Sequence, residues 1–442
     1  MYHPQSMHRR FCLQRCLLLA VLACAACALP ARAQGPHTLP AADALSDRTT
    51  VWVITLGLGD QPHTLFGHTA LVVRDPALPF SAAFNYGTFD FGEGFLRKFL
   101  GGRLDYRLSV ADGLMPMRSA LVFTKRGYIQ QQLALTPTQA RMLYRELRRE
   151  AQPENRDYRY RFLDQNCSTK VIDLLDRALG DALVWPTLDH ADTQTNADAE
   201  AVSVTDAAQV EGDPRDEPPT YRDLLRGHLR ERPWYRLGID ILLGQPTDRR
   251  VTGRDRGFLP IHLADLLGGT LIHTGGVARP LVSTRDANAF RGLPAETRRT
   301  PLFVACGLLA LGVVGTALAR RKPNAARWPL RAFDGLLLLA AGLSGLAIVA
   351  MWVGSAHDVI GPNWNLLWAV PLHAVAAVWV VQRPQLRWLR VYLALAALLA
   401  AAVTLTWPIL PQAMPVALWP IAGLLALRCA DGSLTPPPKT QT

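Results

Sequence analysis

Five apolar segments crowd the last third of this chain, at about 301–319, 333–353, 364–381, 388–409 and 414–429, and they dictate most of its architecture. Most reach the roughly 20 residues that a helix needs to cross a hydrocarbon core of about 30 Å, and the last is short. Arg320, Arg321, Lys322, Arg327 and Arg331 fill the first connector, and Arg383, Arg387 and Arg390 fill the third. Positive charge is retained on the cytoplasmic side, so both connectors are expected inside. Alternation then puts everything before residue 299, and the connectors at 354–363 and 410–413, outside.

The N-terminus agrees with this topology. Arg9, Arg10 and Arg15 precede an apolar run from Cys16 to Leu29, followed by Ala31-Arg32-Ala33. A basic start, a short apolar stretch and an A-x-A site read as a secretory leader, residues 1–33, which exports the domain behind it. The expected organisation is thus a leader, an exported domain over 34–298, a five-helix membrane region over 299–430 and a cytoplasmic tail over 431–442. The formal charge of +11 does not point to nucleic acid, because much of the basic excess lies beside the membrane spans.

Within the exported domain, residues 34–50 read as an unstructured lead-in. Strands are expected at Val51–Leu58 and Thr69–Val73, at the segment FNYGTFDFG over 84–92, and around LDYRLSVA. Thr136 and Pro137 are the cap and first position of a helix over 138–150. Further helices are expected from Cys167 to about 179, over 222–230, and after Pro260. Residues 186–217 carry nine acidic residues against one arginine, which reads as a solvated insertion. Asp240, Asp248, Arg249, Arg250 and His262 are expected to be surface or supporting groups.

Chemistry concentrates in YRFLDQNCSTKVIDLLD. Cys167 stands directly ahead of the apolar-periodic Val171, Ile172, Leu174 and Leu175, at the expected helix N-terminus, where unpaired N–H groups and the helix dipole favour a thiolate. The other cysteines fall in the leader or in apolar spans, so Cys167 has no disulfide partner in the exported domain. A thiol nucleophile needs a base, a group to orient the base, and oxyanion donors. Among seven histidines in the domain, His68 is the best base because it opens a strand in an apolar, glycine-containing setting, with His63 the nearest rival. Asn85 or Asp90 can orient the imidazole. The N–H groups of Cys167 and Ser168, with Asn166 or Tyr160 as side-chain donors, are the expected oxyanion and supporting groups. His357, Asn363, Trp364 and Asn365, in the outer connector, can line a lipid-head-group or acceptor site. No HExxH, paired CxxC or glycine-rich phosphate loop is present, and no metal or cofactor is expected.

The order FGHTALVVRD, FNYGTFDFG, YRYRFLDQNCSTKVIDLLD, followed by several membrane spans, resembles the Lnb family of bacterial lipoprotein N-acyltransferases. More distantly it is similar to permuted papain-like proteins of the NlpC/P60 and lecithin:retinol acyltransferase group, in which the histidine strand precedes the cysteine helix. The resemblance implies an α+β, circularly permuted papain-like periplasmic domain followed by an α-helical transmembrane bundle in the bacterial inner membrane. It implies Cys167 as thiol, His68 as its histidine, and Asn85 or Asp90 on the matching third strand. The implied reaction moves an acyl chain from a membrane phospholipid, through a Cys167 thioester, to the N-terminal amine of a diacylglyceryl-cysteine lipoprotein. The same thiol and histidine also suit a cell-envelope cysteine peptidase or amidase, or a lipid thioesterase. A non-enzymatic membrane assembly module is the alternative of a different class.

Overall fold

A computed structural model describes residues 39–89, 92, 94–186, 218–293, 299–321 and 323–434. The expected leader, Asp90, all but the first residue of the acidic insertion, and the tail beyond 434 lie outside these residues. In chain order the strands of the exported domain are β1 (Thr50–Leu56), β2 (His68–Asp75), β3 (Phe80–Thr88), β4 (Asp105–Asp112), β5 (Tyr128–Leu133), β6 (Asp157–Arg159), β7 (Leu183–Val184), β8 (Leu271–Thr274), β9 (Val277–Pro280) and β10 (Val282–Asn288). Its helices are α1 (Phe95–Leu100), α2 (Met115–Arg118), α3 (Pro137–Glu150), α4 (Cys167–Leu179), α5 (Tyr221–His228), α6 (Pro233–Leu242) and α7 (Pro260–Gly269).

Seven strands form one antiparallel sheet in the order β10-β5-β1-β2-β3-β4-β6, and β7, β8 and β9 form a small second sheet. Helix α4 packs on β2 and β3 through Val171, Ile172, Leu174, Leu175 and Ala178, an i, i+3, i+4, i+7 stripe that is buried as the sequence periodicity requires. Helix α3 lies beyond it, with the Thr136 cap accepting from Gln139 N–H. The other sheet face is covered by α2 and the wider π turn that continues it, Ser119–Phe123. Met117 and Ala120 of that segment pack on Ile54, Leu56, Val72 and Ala83.

Residues 40–49 of the lead-in are held in place by specific contacts, contrary to the sequence expectation. The Asp75 carboxylate accepts from Ser46 N–H and Oγ–H and from Thr49 Oγ–H, while Tyr144 donates to the Pro40 carbonyl. Those partners are distant in sequence, which is why composition alone read the segment as loose.

The membrane region contains α8 (Thr300–Arg321), α9 (Pro323–Gly354), α10 (His373–Gln382), α11 (Arg387–Thr406) and α12 (Trp419–Leu434). Among the described residues, three stretches are long and apolar enough to cross a membrane: Thr300–Arg321, Trp328–Gly354 and Arg387–Ile409. The expected third span is instead broken into a short turn, Trp364–Leu367, and the ten-residue α10. Pro371 interrupts the backbone ladder there. The break also packs closely on α9: a Cβ on Gly345 would lie 1.9 Å from the Ala369 carbonyl oxygen. Small residues at such a crossing let two backbones touch.

A buried charge cluster ties the two regions together. Arg222 is fully buried, with Nε 2.8 Å from Asp248 Oδ1, Nη1 3.3 Å from Asp240 Oδ1, and Nη2 3.1 Å from the carbonyls of Leu243 and Gly244. Arg226 joins Asp240 and donates to the Ala413 carbonyl in the outer connector between α11 and α12. Asp240 and Asp248 therefore have the supporting role expected of them.

Candidate active site

Helix α4 begins at Cys167 because Asn166 caps it. Asn166 Oδ1 accepts from Ser168 N–H at 2.8 Å and Thr169 N–H at 3.1 Å, and Thr169 Oγ accepts from Asn166 N–H at 2.8 Å. The same Asn166 anchors the preceding turn, its Nδ2 donating to the carbonyls of Phe162 at 2.8 Å and Phe258 at 2.9 Å. Cys167 is left at the first helical position, partly accessible, with its own N–H outside the helix ladder.

His68 is brought to it by the way the sheet opens. The β2–β3 ladder runs from Asp75↔Phe80 only as far as Leu71↔Phe84, short of His68. On its other side β3 shifts register against β4 between Tyr86 and Thr88, at Gly87, whose φ is +124°. A bulge of this kind re-aims the side chains beside it. His68 Nε2 lies 2.5 Å from Asn85 Oδ1, so Nε2–H donates and Nδ1 is left for the sulfur. A Cβ placed on Gly87 would sit 3.1 Å from His68 Cε1, 3.8 Å from its Nδ1 and 4.0 Å from Cys167 Cβ, so only glycine leaves room for the imidazole and the thiol.

The electrostatics polarise this pair. Burial alone would push the Cys167 thiol up, but the facing His68 charge and hydrogen bond, together with Thr69 N–H and Ser168, bring it below the ordinary thiol value. Burial would push His68 down, and the Cys167 thiolate and the Asn85 hydrogen bond raise it instead. One group is lowered and the other raised, so each charged partner favours the other and the thiolate–imidazolium form gains relative to the neutral pair. Alkylation of Cys167 by iodoacetamide is therefore expected to persist below the ordinary thiol range of about 8.5 and to fall off as pH drops through the lowered value. In His68→Ala the largest effect opposing burial is lost and the alkylation midpoint should move up. An ordinary midpoint that is identical in both proteins would refute the pairing.

An aromatic wall stands beside the sulfur. Tyr160 stacks on Tyr106 with ring centroids 4.4 Å apart, and Phe89 lies 5.0 Å from Tyr106. Burial, and then the thiolate, push Tyr106 up to about 12; burial, followed by Tyr106 and Cys167, raises Tyr160 well above the usual phenol range. Both phenols keep their protons at neutral pH and can only donate toward negative charge at the sulfur. His63, the rival base, is exposed and sets its ring edge-on to Phe89 at 6.4 Å.

Two expected oxyanion donors are corrected. Asn166 has both amide hydrogens on carbonyls and its oxygen on the helix N–H groups, so it supports the turn and donates nothing to a substrate. Ser168 N–H is taken by that oxygen, and the Ser168 side chain is fully buried, its Oγ 3.3 Å from Thr69 Oγ1. Cys167 N–H and the Tyr160 hydroxyl are the remaining candidates from the expected set.

The outer connector is also corrected. Asn363 Nδ2 caps α6, 2.8 Å from the Ile241 carbonyl and 3.3 Å from those of Leu242 and Leu243, and Asn365 is fully buried between Asn363 and Trp368. Trp364 is held by Gln412 Oε1 on its backbone N–H. His357 Nε2 is 2.7 Å from the Phe99 carbonyl. These groups fasten the domain to the bundle and leave no free amide for a head group. Asp358, between them, reaches the site itself: its carboxylate accepts from Phe162 N–H at 3.1 Å and Leu163 N–H at 2.7 Å, in the turn that Asn166 also grips. A loop at the membrane face thus steadies the approach to Cys167, a link that the bare cluster of polar letters did not reveal.

A family model described as the Lnb N-terminal periplasmic domain matches residues 41–198, and one described as the Lnb transmembrane domain matches residues 295–435, together about two thirds of the chain. The chain belongs to the Lnb family. It is a multi-pass membrane protein with a large periplasmic domain, and its activity is that of an Lnb lipoprotein N-acyltransferase. His68, Asn85 and Cys167 fall in the Lnb periplasmic match, and Asp358 falls in the Lnb transmembrane match. No curated protein and no solved structure matches the chain.

Proposed function

We propose that Cys167 is the nucleophile of this Lnb acyltransferase, with His68 as its acid and base and Asn85 as the group that orients the imidazole. The observation that carries this reading is the geometry in which His68, held by Asn85 at 2.5 Å, meets Cys167 across Gly87, and the opposite shifts of the two groups agree with it. His68 ahead of Cys167 in sequence, with a helix and strand order to match, also supports a permuted papain-like reading of the domain.

The thiolate attacks the carbonyl carbon of an acyl ester in a membrane phospholipid. Cys167 N–H and the Tyr160 hydroxyl donate to the tetrahedral oxyanion. The ester C–O bond breaks, His68 gives its Nδ1 proton to the departing lysophospholipid oxygen, and an acyl thioester remains on Cys167. The α-amine of a diacylglyceryl-cysteine lipoprotein then attacks the thioester, His68 takes a proton from the nitrogen, and Cys167 leaves as thiolate. Burial of each acyl CH2 in lipid stabilises by about 0.8 kcal/mol, so a donor drawn wholly into water would face a prohibitive cost. A thiol held at the membrane face by the same polypeptide avoids that transfer.

The test is the intact mass of the full-length protein after incubation with phospholipid. One acyl adduct on Cys167, released by hydroxylamine and then transferred to an added diacylated lipopeptide, is expected. Multiple turnovers without any adduct would end the thioester route, and loss of the adduct to water despite the lipopeptide would make the protein a hydrolase.

A further inference from the structure

The segment after α2 ends in an apolar tip that the domain leaves uncovered. Val122 is 68% and Phe123 71% exposed, and Leu121 beside them is exposed too, although Ala120 one residue earlier is fully buried against the sheet. The tip is built, not loose. Thr124 N–H and Oγ–H both bond the Ser119 carbonyl, Arg126 N–H bonds the Ala120 carbonyl at 2.6 Å, and Arg126 Nε bonds Thr124 Oγ1 at 2.9 Å. The turn therefore satisfies these polar groups internally while pushing three apolar side chains outward. Side chains of this size left in water forgo the stabilisation that burial would give them.

Strand direction says what covers them. β3 and β1 run one way, β2 and β5 the other, so the end of β3, the start of β2 and the start of β5 share one end of the sheet. From the end of β3 the chain reaches α1, whose following Gly101 carbonyl accepts from Ala356 N–H just beyond the membrane helix α9. At the start of β5 the Gly127 carbonyl accepts from Gly57 N–H, a Cβ on Gly127 would run into the Ala289 carbonyl, and Ala289 follows the end of β10. The end of the sheet that carries the tip is thus the end from which the chain enters the membrane on both flanks. β2, with His68, lies between these flanks in the sheet order. Lys125 is exposed directly behind the tip, where an ammonium meets lipid phosphates when the residues ahead of it are in acyl chains.

We infer that Leu121, Val122 and Phe123 insert into the periplasmic leaflet of the membrane, giving the catalytic domain a lipid contact independent of the spanning helices and holding its active-site end on the bilayer that supplies the donor. The inference rests on the membrane topology of the chain and not on the thioester chemistry, and its first test, by cross-linking, does not require turnover.

The full-length protein is placed in nanodiscs of phosphatidylethanolamine and phosphatidylglycerol with a benzophenone amino acid in place of Phe123, and separately in place of Leu114. Leu114 is a fair control because it is also exposed but follows the end of β4 that pairs with Ala82, at the opposite end of the sheet. Irradiation is expected to give phospholipid adducts by intact mass at position 123, several-fold above those at 114, in wild-type and Cys167→Ala backgrounds alike. Equal labelling at both positions, no lipid adduct at 123, or cross-links from 123 only to protein would each overturn the proposal. Val122→Asp with Phe123→Asp is a second arm: apparent KM for vesicle phospholipid should rise at least about fivefold while iodoacetamide alkylation of Cys167 stays at the wild-type rate. An unchanged KM would count against insertion.

Discussion

Cys167→Ala is expected to lose lipoprotein N-acylation by a factor on the order of 10³ or more, while His68→Ala loses about 10² to 10⁴ and recovers part of that loss as pH rises. The difference follows from what each group supplies. Without the sulfur no thioester forms at any pH, whereas without the imidazole the thiol is still present and hydroxide can ionise it. Neither change disturbs the helix that carries the nucleophile, because the cap is provided by Asn166 and Thr169. The measurement is transfer of a labelled acyl chain from phospholipid to a diacylated lipopeptide over a pH series, with folding checked by thermal melting. Equal loss in both variants with no alkaline recovery in His68→Ala would remove His68 from the role of base. Persistence of turnover in Cys167→Ala would remove the thiol.

Gly87→Ala should reduce turnover about 10²-fold with the thiol still in place. Its φ of +124° lies in a region that L side chains rarely adopt, and the new methyl carbon would meet His68 Cε1 at 3.1 Å. The backbone relaxes, or the ring turns, and either response moves the imidazole away from the sulfur. Misplacement of a catalytic group by about 1 Å can cost that factor in rate. A purely structural lesion would lower the melting temperature alone. Loss of the pair also moves the alkylation midpoint of Cys167 upward, toward where burial drives an unpartnered thiol. Wild-type turnover and an unchanged alkylation profile in Gly87→Ala would show that the ring does not depend on this contact.

The site and the membrane region act as one device. Asp358, between α9 and the turn at Trp364, accepts from the backbone just ahead of Asn166, and Asn166 in turn sets the first turn of α4. Arg222, Arg226, Asp240 and Asp248 bind the exported domain to the connector at Ala413 from the other side. On the proposed role of Cys167, contacts from the membrane loops keep the nucleophile in register with substrates whose chains remain in lipid.

Much of this was legible in the order of the residues, for local reasons. Hydropathy and arginine placement located the apolar stretches, the 3.6-residue period located α4 and its buried face, and Thr136-Pro137 and Asn166-Cys167 marked helix starts. Asn85 and Asp90 remained equal candidates, since each is a polar residue between aromatics; the hydrogen bond to His68 distinguishes Asn85, while Asp90 lies outside the described residues. The lead-in at 40–49 was misjudged because it depends on partners far along the chain, whereas Pro371 in the third apolar segment and the Asn166 oxygen that takes Ser168 N–H were local signals given too little weight.

Taken alone, the sequence determined an exported α+β domain with one thiol at a helix start, and a membrane region, because charge, hydropathy and helix periodicity act within a few residues. Tertiary structure alone decided which imidazole faces that thiol, which amides are already spent on capping, and that a membrane loop grips the catalytic turn. The first and last of those outcomes depend on groups 17 to 196 residues apart meeting within hydrogen-bond reach. No local pattern encodes such a distance, since it arises only when the sheet closes and the helices pack against it.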